Sequence, residues 1–216
     1  MSKECAASHP EIDPWGQAWA ETETWDTENA NWQEVDDREP DLHRAIEATD
    51  ASDTGDLATA IKIWHGLAER GSVRAMIELG ICHEFGCGVP LNPDLAEDWY
   101  NQAASGGSQF AMLRRAHLAA SRNDYAESDA ILQAGVDAGW ASAIFWQAWY
   151  RIKQSGSKEC YRRTYPLLKL AAKLGHPGAK LVLANLTVRG KFGRLRVPFG
   201  LVSAAKLVID VSVQPK

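Results

Sequence analysis

A chain of 216 residues with 45% apolar side chains can bury one core of ordinary size, which excludes a wholly disordered chain and leaves little room for two compact domains. The net charge of −5 hides a division along the chain. Residues 1–53 carry 15 acidic against 3 basic side chains, residues 54–216 carry 13 against 20, and residues 139–216 carry 2 against 14. A uniformly basic nucleic-acid-binding chain is thereby excluded, and an electrically polarised one is expected. Cys5, Cys82, Cys87 and Cys160 stand at no disulfide-framework spacing, so free thiols in a reducing compartment are expected. The opening MSKECAASHPEIDPWG has no basic region followed by an apolar core, and no run reaches the roughly 18 apolar residues of a membrane span. A cytoplasmic protein is expected.

The first element in chain order is an acidic arm, residues 1–39, holding Trp15, Trp19, Trp25 and Trp32 but almost no Leu, Ile or Val. Such a composition buries too little apolar surface to fold alone. Four tryptophans are nevertheless a heavy apolar load for a tail that touches nothing. Aromatic residues interleaved with carboxylates fit a segment that docks on a basic, partly apolar surface, either in cis or on a partner. Helices are then expected near 41–50, 56–70, 73–85, 93–106, 108–121, 124–138, 141–153, 159–174, 177–188 and 199–211, about four to five antiparallel pairs. Between the third and fourth, GCGVPLNPDLA offers Asn92 as an N-cap and Pro93 as the first helical residue. The last segment, VPFGLVSAAKLVIDVSV, is apolar nearly all round, so either another helix such as the N-terminal arm covers it or it forms a self-association surface at the end of the stack.

A repeat organises these helices. Gly71 is followed by Ala75, Gly107 by Ala111, Gly139 by Ala143 and Gly175 by Ala179, at glycine intervals of 36, 32 and 36 residues. Eleven residues before each glycine stand the small or short Ala60, Ala96, Ser128 and Thr164. Large apolar pairs stand eight and seven before: Ile63-Trp64, Trp99-Tyr100, Ile131-Leu132 and Leu167-Leu168. Nine after stand Gly80, Ala116, Ala148 and Ala184. Bulky side chains facing small ones at fixed helical offsets let helices pack closely. Each glycine is placed to end one helix in the left-handed conformation.

The segment LGICHEFGCGVPLNPDLAEDWYNQAASGGSQFA, residues 79–111, resembles the repeat of the Sel1-like family, helical solenoids related to tetratricopeptide proteins. The match runs through Leu79, Gly80, Gly86, Gly88, Val89, Ala96, Trp99, Tyr100, Ala103, Ala104, Gly107 and Ala111, with His83 where the family has tyrosine and Asn92 in place of its capping aspartate. Weaker copies extend the resemblance over roughly 41–200. It implies an all-α, right-handed α-solenoid over residues 40–216, preceded by the arm, irregular or docked on the solenoid. It also implies a non-catalytic scaffold or adaptor that grips a partner protein or peptide on its concave face. Some members of the family are immunity proteins that neutralise a toxic effector, which stands as the more specific alternative. A nucleic-acid-associated regulator using the basic C-terminal half is a further one.

No catalytic motif, phosphate loop or H-E-x-x-H is present. The CHEFGC stretch at 82–87 is the one place with metal-like residue types, and it lacks a fourth ligand at any recognisable spacing. No cofactor and no metal are therefore expected. Trp64, Trp99, Trp140, Trp146 and Trp149 read as core, except that by family analogy the helix of Trp146 and Trp149 lines the inner face. Arg114, Arg115, Trp146 and Arg151 are the candidate partner-binding side chains.

Overall fold

The computed structural model describes residues 16–192, and every element in them is a helix. In chain order these are α1 (Gly16–Glu28), α2 (Trp32–Asp36), α3 (Leu42–Asp53), α4 (Leu57–Ala68), α5 (Val73–Phe85), α6 (Pro93–Ser105), α7 (Gln109–Ser121), α8 (Tyr125–Asp137), α9 (Ala141–Ser155), α10 (Lys158–Lys173) and α11 (Pro177–Val188). The nine helices from 42 to 188 lie where the sequence places them. The helix expected at 199–211, and with it the apolar association surface, lies outside the described residues, as do Trp15, Arg194 and Arg196.

The repeat is built by one local device. Gly71, Gly107, Gly139 and Gly175 adopt φ of +91°, +91°, +76° and +105°, a region that costs a residue with a Cβ about 1–2 kcal/mol. At the first bend the Gly71 N–H donates to the Ala68 carbonyl and the Ser72 N–H reaches back to that of Leu67, and the other three bends repeat both bonds. These are the paired bonds that close a helix C-terminus through a left-handed residue. The residue after the glycine then starts the next helix. Ser72, Ser108 and His176 each accept from the N–H three residues on, that of Ala75, Ala111 and Ala179. Those alanines and Ala143 are no more than 1% exposed. Glycine and alanine are spaced by four because one residue reverses the chain and the other meets the neighbouring helix.

Two compact units result. The first comprises residues 29–118, and the second has 16–28 and 119–192 as its described residues. In the first, α3 packs on α4, α4 on α5 and α5 on α6. Its core joins Trp64, Leu67 and Leu79 in one cluster and Ile77, Ala96, Tyr100 and Ala111 in another. Gly80 on α5 faces Tyr100 on α6 so closely that an added Cβ would fall 2.5 Å from a ring carbon. In the second unit α8 packs on α9, α9 on α10 and α10 on α11, around Leu132, Ile144, Phe145, Leu168 and Ala179. Asn92 caps α6 by accepting from the Leu95 N–H at 3.1 Å, with Pro93 in the first turn.

Two features differ from expectation. The arm is helical where described: α1 joins the second unit and packs on α11, while α2 joins the first and touches α5. Cys82 and Cys160 are free, but Cys87 is disulfide-bonded. Spacing along a chain does not report which cysteines a fold brings together, so Cys87 is not one of the four free thiols expected of a reducing compartment. Burial pushes the Cys82 thiol up to about 12, with the Glu78 carboxylate adding to the effect. At pH 8 roughly one Cys82 in ten thousand is then thiolate, the reactive form. Iodoacetamide followed by peptide mass spectrometry should label the half-buried Cys160 first and Cys82 only after denaturation.

Candidate functional site

The most elaborated polar constellation of the second unit lies where α1 meets α9 and α11. The bend at Gly175 places His176 at the start of α11, fully buried. Its Nδ1 accepts the Ala179 N–H at 3.2 Å, capping the helix. A ring nitrogen that accepts carries no proton, so the hydrogen of the neutral ring sits on Nε2. Nε2 faces Asp26 Oδ1 at 3.0 Å, and the other carboxylate oxygen accepts from Trp146 Nε1 at 2.6 Å. Asp26 is 7% exposed, and both its oxygens are met by fixed N–H donors, the condition under which a carboxylate is tolerated in a core.

Aromatic rings frame this clasp. Phe145 stacks on His176 with centroids 4.2 Å apart, Trp25 from α1 meets the same imidazole edge-on at 4.9 Å, and Trp146 stacks on Tyr150 at 5.5 Å. Gly178 lets α1 approach. A Cβ there would lie 2.7 Å from Thr22 Oγ1 and 2.9 Å from the Phe145 ring. Thr22, Trp25 and Asp26 occupy positions i, i+3 and i+4 of α1, a single stripe on its surface.

In the first unit the arm is held by different chemistry. Asn31 donates to the Gly107 carbonyl at 2.9 Å and accepts from the Gln109 N–H at 3.0 Å. The Arg74 guanidinium lies 4.6 Å above the Trp32 ring, which also meets Phe110, and Arg74 pairs with Asp36. A cation over indole and an aspartate beside it are how an acidic, tryptophan-bearing segment engages a basic surface.

The four residues singled out from sequence fall into separate places. Arg114 is inside the first unit, where its Nε donates to Glu84 Oε2 at 3.1 Å, its Nη2 pairs with Oε1, and Tyr100 donates to Oε2 at 2.8 Å. Burial pushes the Tyr100 phenol well up. The neighbouring Glu84 carboxylate holds Arg114 above the usual guanidinium range despite burial. Arg115 is half-buried, with its Nε enclosed and without a hydrogen bond. Arg151 forms a two-pronged pair with Asp129 at 2.6 and 2.9 Å. Trp146 is the one that belongs to the α1 clasp. Asp26, His176 and Thr22 are not singled out by the sequence; a histidine where Ser72 and Ser108 stand after the other bends is the one signal it offers.

His83 is buried among packing residues, Cys87 is bonded, and no group of three or more His, Cys, Asp or Glu able to hold a metal occurs among the described residues. A cleft of about 420 Å³ lined by Arg151, Ser157, Cys160 and Arg163 has its arginines paired with Asp129 and Glu159. Among the described residues no helix is long and apolar enough to cross a membrane.

Comparison with known proteins agrees with this architecture. Residues 73–108 match the model of the Sel1 repeat. No curated protein matches the sequence. Among solved structures the chain is similar to a Sel1 repeat protein from Oxalobacter formigenes, at 22% identity and a TM-score of 0.57 over 68% of this chain and 61% of that one. It is also similar to c5321, a protective antigen present in uropathogenic Escherichia coli strains that displays an SLR fold, at 20% identity and a TM-score of 0.56 over 69% of this chain and 33% of that one. The chain thus spans about three fifths of the length of one relative and a third of the other. Residues 73–108 thus form a Sel1 repeat, and the all-helical fold around them is the one seen in solved Sel1-repeat structures.

Proposed function

We propose that the chain is a non-catalytic interaction scaffold that holds a partner protein or peptide on the face formed by α9 and α11. Sel1 repeat proteins are in general scaffolds for protein–protein contacts. Stacked repeats suit that role because each pair contributes one helix to an extended surface. The observation that carries the reading for this chain is the seating of α1 on α9 and α11, with Trp146 and His176 both donating to Asp26. A surface that holds one helix through buried, directional donors has the aromatic and polar anchors on which binding energy concentrates.

The test uses a photo-crosslinking amino acid at Lys153, seven residues beyond Trp146 on α9, and at Lys169 on α10 as a control. In the source cell the Lys153 position should capture a defined protein that Lys169 does not. Capture at Lys169 alone, or at neither, would remove this reading.

A further inference from the structure

We propose that α1 is a tethered ligand, and that the α9–α11 face takes a partner helix carrying threonine, tryptophan and aspartate at i, i+3 and i+4, which binds by replacing α1. The proposal rests on the scaffold reading and names the chemistry of the partner.

The composition of the contact argues for it. A helix that merely completes a core buries leucines and valines, because apolar area is what stabilises. On α1 the side chains buried from residue 22 onward are Thr22 and Asp26, both polar, while Glu23, Thr24, Thr27 and Glu28 are exposed. Two polar side chains in specified places, with an indole between them, give selectivity at modest net gain. The receiving side is preorganised without α1: His176 is fixed by its bond to the Ala179 N–H and by stacking on Phe145, and Trp146 by stacking on Tyr150. Both donors face the carboxylate from helices of the repeat itself, and Gly178 leaves room for the threonine. Any helix with the same three groups satisfies the same donors and fills the same gap.

The tether explains how such a face stays closed until a partner arrives. Asp26 lies 120 residues from Trp146 and 150 from His176, so α1 belongs to this unit through contact and not through sequence neighbourhood. A tethered segment docks as an intramolecular ligand, at an effective concentration set by its connection and not by bulk concentration. A free peptide of the same sequence competes poorly until the tethered copy is weakened. Asp26→Asn weakens it selectively, because the amide keeps the shape but turns an NH2 toward a donor.

The experiment measures binding of a fluorescein-labelled, N-acetylated peptide of residues 16–28 to the full chain by anisotropy. The Asp26→Asn chain should bind it at least tenfold more tightly than the wild-type chain. The peptide carrying Asn at position 26 should bind that chain at least tenfold more weakly, and adding Trp146→Phe to the chain should cost the wild-type peptide a similar factor. Equal binding by the two chains, or no preference for aspartate in the peptide, would overturn the proposal. Circular dichroism and a cooperative melt confirm that the variants fold. If Asp26→Asn does not fold, a protease site placed between Glu28 and Trp32 and cut after folding leaves α1 docked but untethered. Labelled peptide should then exchange into the cut chain, and failure to exchange overturns the proposal equally. The scaffold reading fails separately, through the absence of capture at Lys153.

Discussion

Replacing Glu84 by alanine should lower folding stability by about 3–5 kcal/mol, the usual cost of removing one member of a buried ion pair. Glu84 and Arg114 are 13% and 17% exposed, and the carboxylate is the acceptor for both the guanidinium and the Tyr100 hydroxyl. The substitution leaves the Arg114 cation and the Tyr100 phenol without their shared acceptor. Against a total of about 5–15 kcal/mol for a typical domain, the loss is large enough to read in urea denaturation. The double variant Glu84→Ala/Arg114→Met should regain most of it, because the cost lies in the stranded charge and not in the lost attraction. A double variant no more stable than the single one would show that the pair holds the helices by packing alone.

Gly80→Val should cost about 3 kcal/mol. A Cβ at Gly80 would stand 2.5, 2.8 and 2.9 Å from three carbons of the Tyr100 ring. That ring is fully buried and held at its hydroxyl by Glu84, so it cannot swing away. Forcing carbons into a packed core costs about 1–3 kcal/mol, and the branched side chain brings two further methyls to the same contact. In the Tyr100→Ala background the same change should cost far less, because the obstructing ring is gone. Thermal melting of the four chains checks both points, and equal losses in the two backgrounds would refute the contact as the cause.

These two positions show why so much of the fold was legible. Gly80 meets Tyr100 because the repeat places a small residue nine after one bend and a bulky one seven before the next, and that spacing is visible in the letters. The bends are legible for a similar reason. A left-handed backbone, a capping side chain and a buried alanine are all set by residues within five positions of each other. Arg114 shows the limit. Its charge is plain in the sequence, but whether a basic side chain faces a partner or an internal carboxylate depends on Glu84, 30 residues away. The arm illustrates the same limit more strongly. From residue 22 onward α1 offers no leucine or valine stripe to read, since the positions it buries there are a threonine and an aspartate. Its helix and its seat are decided by Trp146 and His176 far down the chain. Cys87 likewise reports its bonding only through the fold.

The distance between α1 and its seat also sets an order of events during synthesis. The ribosome releases α1 before its seat, since His176 emerges 150 residues after Asp26. At about 5–20 residues per second, the helix waits roughly 8–30 s for its seat to exist. Docking of α1 consequently waits until α11 has been synthesised. Until α11 is synthesised, Asp26 lacks its His176 partner and Trp25 the imidazole it meets edge-on.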